Sequence, residues 1–163
     1  MGWIYISCYD IYMKSRPPEI DSCSLLRTLA EFRYELRRFL HFSERAALEA
    51  GIQPQQHQLL LQVAGASESE AVTIAYVAER LGLKHNSTVE LVNRSESEGL
   101  LKRTADPDDR RRAILRVTRK SRQLLSRLAG SHARELNEMA PRLEKALKHI
   151  RQHAQVDSGA GAR

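Results

Sequence analysis

The chain has 163 residues, a formal net charge of +6 and 42% hydrophobic residues. This length suits one domain, with or without a dimerisation extension, and excludes a TIM-barrel enzyme, which needs about 250 residues. No apolar run approaches the roughly 20 residues that span a bilayer, and the first 21 residues lack the features of a signal peptide. We therefore expect a cytoplasmic, mainly helical protein without a membrane partner.

The first half of the chain predicts two helices after an extension. Residues 1–21 show no clear period and end in a Pro pair, so we expect them to be poorly ordered. Leucines and phenylalanines at three- and four-residue steps then predict an amphipathic helix over residues 22–50. Pro54 opens a second helix, which ends before Gly65.

The next segment has the pattern of a helix-turn-helix. Thr73 can cap a short helix that ends at Gly82, where a left-handed turn is expected. A second helix is predicted from Asn86 to about Gly99. Its inner face would be Thr88, Leu91, Val92 and Ser95.

After this helix the pattern changes to two short strands, residues 100–104 and 113–118, joined by a loop rich in Asp and Arg. A β-hairpin that follows a recognition-type helix is a wing. A long helix is then predicted to about His153, broken near Ala140-Pro141. Residues 156–163 are expected to form a flexible tail.

Basic residues are concentrated between Lys102 and Arg127. This segment holds ten Lys and Arg residues and three Asp residues. Such clustering favours a polyanionic partner.

Residues 72–118 resemble the winged helix-turn-helix of MarR-family transcription regulators. The most specific match is Asp106-Pro107-Asp108-Asp109-Arg110-Arg111-Arg112 followed by a strand that ends in Thr118. With the flanking helices, the resemblance implies a mainly α domain over residues 22–155, with a small β-hairpin wing and N- and C-terminal dimerisation helices. Ser95 departs from the family pattern, which has Leu there; an uncompensated loss of that side chain would cost about 2 kcal/mol.

The outward face of the predicted recognition helix offers groups that can meet base edges in the major groove. These DNA-binding candidates are Asn86, Ser87, Val89, Glu90, Asn93 and Arg94. The resemblance further implies that Arg111 enters the minor groove and that Asp109 holds its guanidinium, while Arg110 and Arg112 meet phosphates or solvent.

The resemblance also implies how the domain works with double-stranded DNA. We expect a homodimeric repressor, because two readers about one helical turn apart match a pseudo-palindromic operator. A small aromatic or lipophilic effector would release it from a crevice near Phe39, His41, Phe42 and His57.

Two alternatives remain open. The chain could be a non-regulatory winged-helix module that binds DNA non-specifically or binds proteins, or a thiol-based redox sensor that uses Cys23. An enzyme is not expected, because the chain has no phosphate-binding loop, nucleophile elbow or HExxH motif. No cofactor and no metal are expected, and His149 and His153 are placed on an exposed helical surface.

Overall fold

The computed structural model describes residues 22–67, 70–106 and 112–160. In chain order the elements are α1 (Ser22–Glu49), α2 (Pro54–Ala64), α3 (Ile74–Leu81), α4 (His85–Ser97), β1 (Leu101–Ala105), β2 (Ala113–Val117) and α5 (Arg119–Ala160). The predicted extension over residues 1–21 lies outside the described residues. The described residues form two compact units, a terminal unit that includes residues 22–39 and 136–160 and a central unit within residues 40–135.

The predicted fold class is confirmed: the described chain is mainly helical with one antiparallel hairpin. The two strands pair from Leu101 opposite Val117 to Ala105 opposite Ala113. The amide of Leu115 also donates to the Val72 carbonyl at 2.8 Å, so the segment before α3 lies alongside the hairpin. Among the helices described, none is both long enough and apolar enough to cross a membrane.

The predicted break near Ala140-Pro141 is wrong, because α5 is helical from Arg119 through Pro141 to Ala160. Proline removes one backbone hydrogen bond and crowds the preceding turn. Met139 and Ala146 are buried on either side of it, and packing of such a face is what holds most protein helices together. The helix also continues beyond residue 153, into the segment expected to be a tail.

In the terminal unit, polar side chains link α1 to α5. Glu35 is buried and accepts two hydrogen bonds from Arg142, at 2.7 Å from Nε and 3.2 Å from Nη2. His149 lies 2.7 Å from the Thr28 hydroxyl and 3.2 Å from the Nε2 atom of His153. The prediction that both histidines occupy an exposed surface is wrong, since each is half-buried.

The central unit is built around an apolar core. Fully buried side chains come from α2, α3, α4, strand β2 and the residue before β1: Leu59, Leu60, Val77, Leu91, Val92, Leu115 and Leu100. The predicted cap and turn are confirmed: the Thr73 hydroxyl accepts from the Tyr76 amide at 3.2 Å, and Gly82 has φ +62°. This conformation suits glycine, because a Cβ atom is strained there.

Ser95 lies at the centre of this core. It has 0% exposure, and its hydroxyl donates to the Leu91 carbonyl of the same helix at 2.8 Å. The hydroxyl therefore needs no partner outside α4, and Ser95 leaves no unpaired polar group in the core.

A second polar group in the core is His57, which is 2% exposed. Its ring lies 5.0 Å from that of His132, which is also 5.5 Å from the Phe42 ring. His132 Nδ1 lies 2.6 Å from the Leu128 carbonyl and so donates to it. In the neutral ring Nε2 then accepts from the Ser43 hydroxyl at 2.8 Å.

We expect stability to depend on pH through His57. Burial, and secondarily the charge of His132, lowers the pKa of His57 to about 4 from 6.5. Between pH 6.5 and about 4, the histidine is protonated in the unfolded chain but stays neutral in the folded chain. The free energy of unfolding therefore decreases as the pH falls through this range, by at most about 3 kcal/mol. Urea denaturation of wild type and His57→Leu between pH 7 and 4.5 should show a shallower dependence in the variant. His41→Gln is the control, since its side chain is 73% exposed; parallel curves for wild type and His57→Leu would contradict the prediction.

We also expect position 95 to tolerate loss of the hydroxyl better than added volume. Ser95→Ala should change the free energy of unfolding by less than about 1 kcal/mol, because only a bond within the helix is lost. Ser95→Leu should destabilise by about 1–3 kcal/mol through overpacking. Ser97→Leu, at an exposed position of the same helix, is the control in urea denaturation. If Ser95→Leu were more stable than wild type, the core would have unused space there.

Candidate DNA-binding site

Helix α4 divides into a buried face and a polar exposed face. Thr88, Leu91, Val92 and Ser95 are all 2% exposed or less, as the sequence predicted. The opposite face carries the predicted base-reading side chains. Asn86, Ser87, Glu90, Asn93 and Arg94 are exposed, and Val89 is half-buried.

A polar contact fixes the C-terminal end of α4 against the start of α2. Gln56 is 3% exposed. Its amide oxygen accepts from the Gln53 backbone at 3.0 Å, and its amide nitrogen donates to Glu98 at 2.9 Å. One side chain thus caps α2 and holds the residue that follows α4.

Arg103, on β1, is a residue that the sequence analysis did not single out. Its guanidinium forms an ion pair with Glu96 and donates from Nη2 to the Asn93 amide oxygen at 2.6 Å. Its backbone amide also donates to Glu96 at 3.2 Å. Because Asn93 accepts from Arg103 through its oxygen, its NH₂ group is the end left to meet an acceptor on a base or phosphate. The hairpin register could have suggested this contact, but only once the packing of β1 on α4 was known.

The base of the wing loop is closed by Asp106 and Arg112. The Asp106 amide donates to the Arg112 carbonyl at 3.1 Å, and their side chains are 3.6 Å apart at Arg112 Nε and Asp106 Oδ2. Arg112 remains 48% exposed along its side chain, whereas that of Asp106 is 6% exposed. The predicted wing residues Asp109, Arg110 and Arg111 lie outside the described residues.

The junction of β2 and α5 is held by two hydroxyl groups. Thr118 donates to the Gly99 carbonyl at 2.9 Å and accepts from the Ser121 amide at 3.3 Å, as a helix cap does. The buried Ser121 hydroxyl donates to the Leu100 carbonyl at 2.6 Å. The start of α5 is therefore fixed to the chain that leaves α4.

The four predicted ligand-pocket residues fall in different surroundings. Phe42 and His57 lie against His132 within the central unit, while the exposed His41 is 3.8 Å from Glu44. Phe39 belongs to the terminal unit and is half-buried. The described residues form cavities of about 630, 570 and 300 Å³, and other residues line each of them.

In the described ranges, no group of three or more His, Cys, Asp or Glu side chains is arranged to hold a metal ion. Cys23, the candidate redox thiol, is half-buried in the first turn of α1.

Comparisons with known proteins relate the chain to one family. A model described as MarR family matches residues 50–112. The comparison with curated proteins found no match.

Three similar solved structures illustrate the fold. A MarR family protein from Bacillus stearothermophilus is 17% identical, with a TM-score of 0.66, over 83% of this chain and 99% of that one. CouR from Rhodococcus jostii, solved with p-coumaroyl-CoA, is 22% identical, with a TM-score of 0.59, over 86% and 94% of the two chains. A variant of MepR from S. aureus, solved with an oligodeoxyribonucleotide, is 14% identical, with a TM-score of 0.56, over 89% and 100%.

At these identities the structural likeness concerns the fold, and the sequence match concerns the segment that holds α2 to α4, β1 and the wing loop. The resemblance to the MarR family is confirmed: residues 50–112 match its model, and the described chain has the winged-helix fold of its transcription regulators.

Proposed function

We propose that the chain is a sequence-specific DNA-binding transcription regulator, acting as a homodimeric repressor on a pseudo-palindromic operator and released by a small ligand. The observation that carries this proposal is the division of α4 into a fully buried face and an exposed face of Asn, Ser, Glu and Arg side chains beside the wing. Such a helix fits the major groove, where each base pair presents a distinct set of donors and acceptors.

Four side chains of this face have a chemical counterpart on DNA. Asn86 can pair with adenine through two hydrogen bonds, and Arg94 can pair with guanine or a phosphate. Val89 can pack on a thymine methyl group, and Glu90 can accept from the amino group of cytosine. Arg111, with Asp109 beside it, is proposed to enter the minor groove, while Arg110 and Arg112 contact phosphates. MepR, which has the same fold, was solved with an oligodeoxyribonucleotide.

Support for a homodimer comes from apolar side chains exposed on the terminal unit. Leu26 is 65% exposed, Leu36 is 42% and Leu147 is 46%. Several large apolar residues exposed on two long helices are typical of an interface that a second chain covers. A dimer also supplies the two readers that a palindromic operator requires.

The effector is proposed to be a small aromatic or lipophilic molecule near Phe39, His41, Phe42 and His57. Phe42 and His57 provide aromatic surface beside His132. CouR was solved with p-coumaroyl-CoA bound. Occupancy would weaken operator binding by favouring a different separation of the two recognition helices.

The proposed reading of DNA is tested by fluorescence anisotropy with DNA that flanks the gene and a scrambled duplex, at about 0.15 M salt. We expect a preference of about 10³-fold or more for the flanking DNA. Arg94→Gln should cost about 1–3 kcal/mol and relax base preference at one position per half-site. Arg111→Ala should weaken binding most at sites with a narrow minor groove.

Arg134→Gln serves as the control, because Arg134 is an exposed arginine of the same unit on α5. Unchanged affinity of Arg111→Ala would contradict the wing assignment. Equal, steeply salt-dependent binding of wild type to both duplexes would favour a non-specific module instead.

The proposed dimer is tested by sedimentation velocity over a range of concentrations. We expect Leu26→Gln combined with Leu147→Gln to raise the dimer dissociation constant at least tenfold, because each Leu buries about 1.5–3 kcal/mol of apolar surface energy. Leu48→Gln combined with Leu61→Gln is the matched control, since both leucines are exposed in the central unit. A monomeric wild type at micromolar concentration would contradict the proposal.

A further inference from the structure

The recognition helix and the wing loop account for only part of the basic segment between Lys102 and Arg127. Four of its other basic residues line a groove of about 630 Å³ in the central unit. The lining consists of Lys102, Thr104, Arg116, Val117, Thr118, Arg119 and Arg122. Among the residues that the structure describes, this lining has four cationic side chains and no acidic one.

This groove lies on the face of the hairpin that points away from α4. Lys102 and Arg116 are directly opposite each other in the antiparallel register, and both are exposed. The next pair along, Arg103 and Leu115, projects to the other face, where Arg103 contacts α4. Strand alternation therefore gives the wing two separate sets of cations, one beside the recognition helix and one behind it.

The other two cations of the groove stand at the start of α5. Arg119 and Arg122 are three residues apart, so they lie on the same side of the helix. The first turn of α5 contains no acidic residue, and the N-terminal end of the helix dipole adds positive potential there. Basic side chains at this end of a helix have an unfavourable electrostatic interaction with the positive potential, and a bound anion would offset it. The Thr118 and Ser121 hydrogen bonds hold this turn in place.

The cationic surface continues into a second cavity of about 300 Å³. It shares Arg116, Val117 and Arg122 with the first and extends to Ser67 and Val72. None of the described residues that line this part is acidic. A continuous track of cations across β1, β2 and α5 fits an extended polyanion better than a single small ion.

The track lies on the same hairpin as the wing loop, which is proposed to meet DNA. Lys102 is four residues before Asp106, which is about 13 Å along an extended strand. The minor groove is about 7.5 Å deep, with phosphates along its rim. A wing whose tip enters that groove brings the adjacent phosphates alongside the hairpin.

We propose that Lys102, Arg116, Arg119 and Arg122 form a second DNA-binding surface, which binds phosphates of the duplex that flanks each operator half-site. This surface rests on the proposed DNA-binding function, and it reads no bases. It adds affinity and salt dependence, and it makes binding depend on the length of the duplex beyond the half-sites.

The test compares an operator duplex with the same duplex extended by about ten base pairs at each end, using Arg116→Gln combined with Arg122→Gln. We expect the double variant to lose at least about fivefold in affinity for the long duplex and less than about twofold for the short one. Its slope of log affinity against log salt on the long duplex should fall by about one to two. Arg127→Gln combined with Arg134→Gln, which removes the same charge from exposed positions of α5, should leave the difference between duplexes unchanged.

Equal losses on both duplexes, or equal losses in the two double variants, would overturn the proposal. A second outcome would also overturn the proposal: the Arg116 and Arg122 changes abolish binding of inorganic triphosphate but leave the affinity for the long duplex intact. The groove would then bind a free anion and not DNA. Binding to a scrambled long duplex shows whether the second DNA-binding surface or the proposed sequence-specific function has failed. If wild type shows no operator preference but the groove variant still loses affinity for scrambled DNA, only the sequence-specific function fails.

Discussion

The exposed polar face of α4 depends on the complete burial of its opposite face. Leu91 and Val92 reach the core that α2, α3 and the hairpin share, and Thr88 and Ser95 have no exposed surface. A short helix of this composition has little stability of its own in water. Burial therefore supplies both its stability and its orientation, so that substitutions behind the helix affect how its outer side chains are aimed.

Buried polar groups in the central unit join separate segments of the chain through hydrogen bonds and so fix their relative positions. Gln56 joins the start of α2 to Glu98, and Ser121 joins the start of α5 to the Leu100 carbonyl. Each of these groups is satisfied by hydrogen bonds, which avoids the cost of an unpaired buried group. Directional bonds at both ends of the segment from α4 to β1 define its course more narrowly than apolar contacts alone would.

The charge of this segment is organised by strand alternation. Neighbouring cations on β1 serve different faces: Arg103 contacts Asn93 and Glu96 on α4, whereas Lys102 faces Arg116 and the start of α5. At the wing base, Asp106 holds Arg112 in an ion pair. A run of basic residues that looks uniform in sequence is thus divided into side chains that contact α4 or close the base of the wing loop and side chains that line an exposed groove.

The sequence by itself determined the order of helices and strands, the Thr73 cap, the Gly82 turn and the two faces of α4, because these follow from local periodicity and backbone preference. It did not determine the course of α5 through Pro141, the hydrogen bonds of His149, or the role of Arg103. Those depend on contacts between residues distant along the chain, such as Glu35 with Arg142 and Arg103 with Asn93. Local pattern reports what one segment prefers, and only tertiary packing decides which neighbour stabilises it and which charged side chains are left exposed.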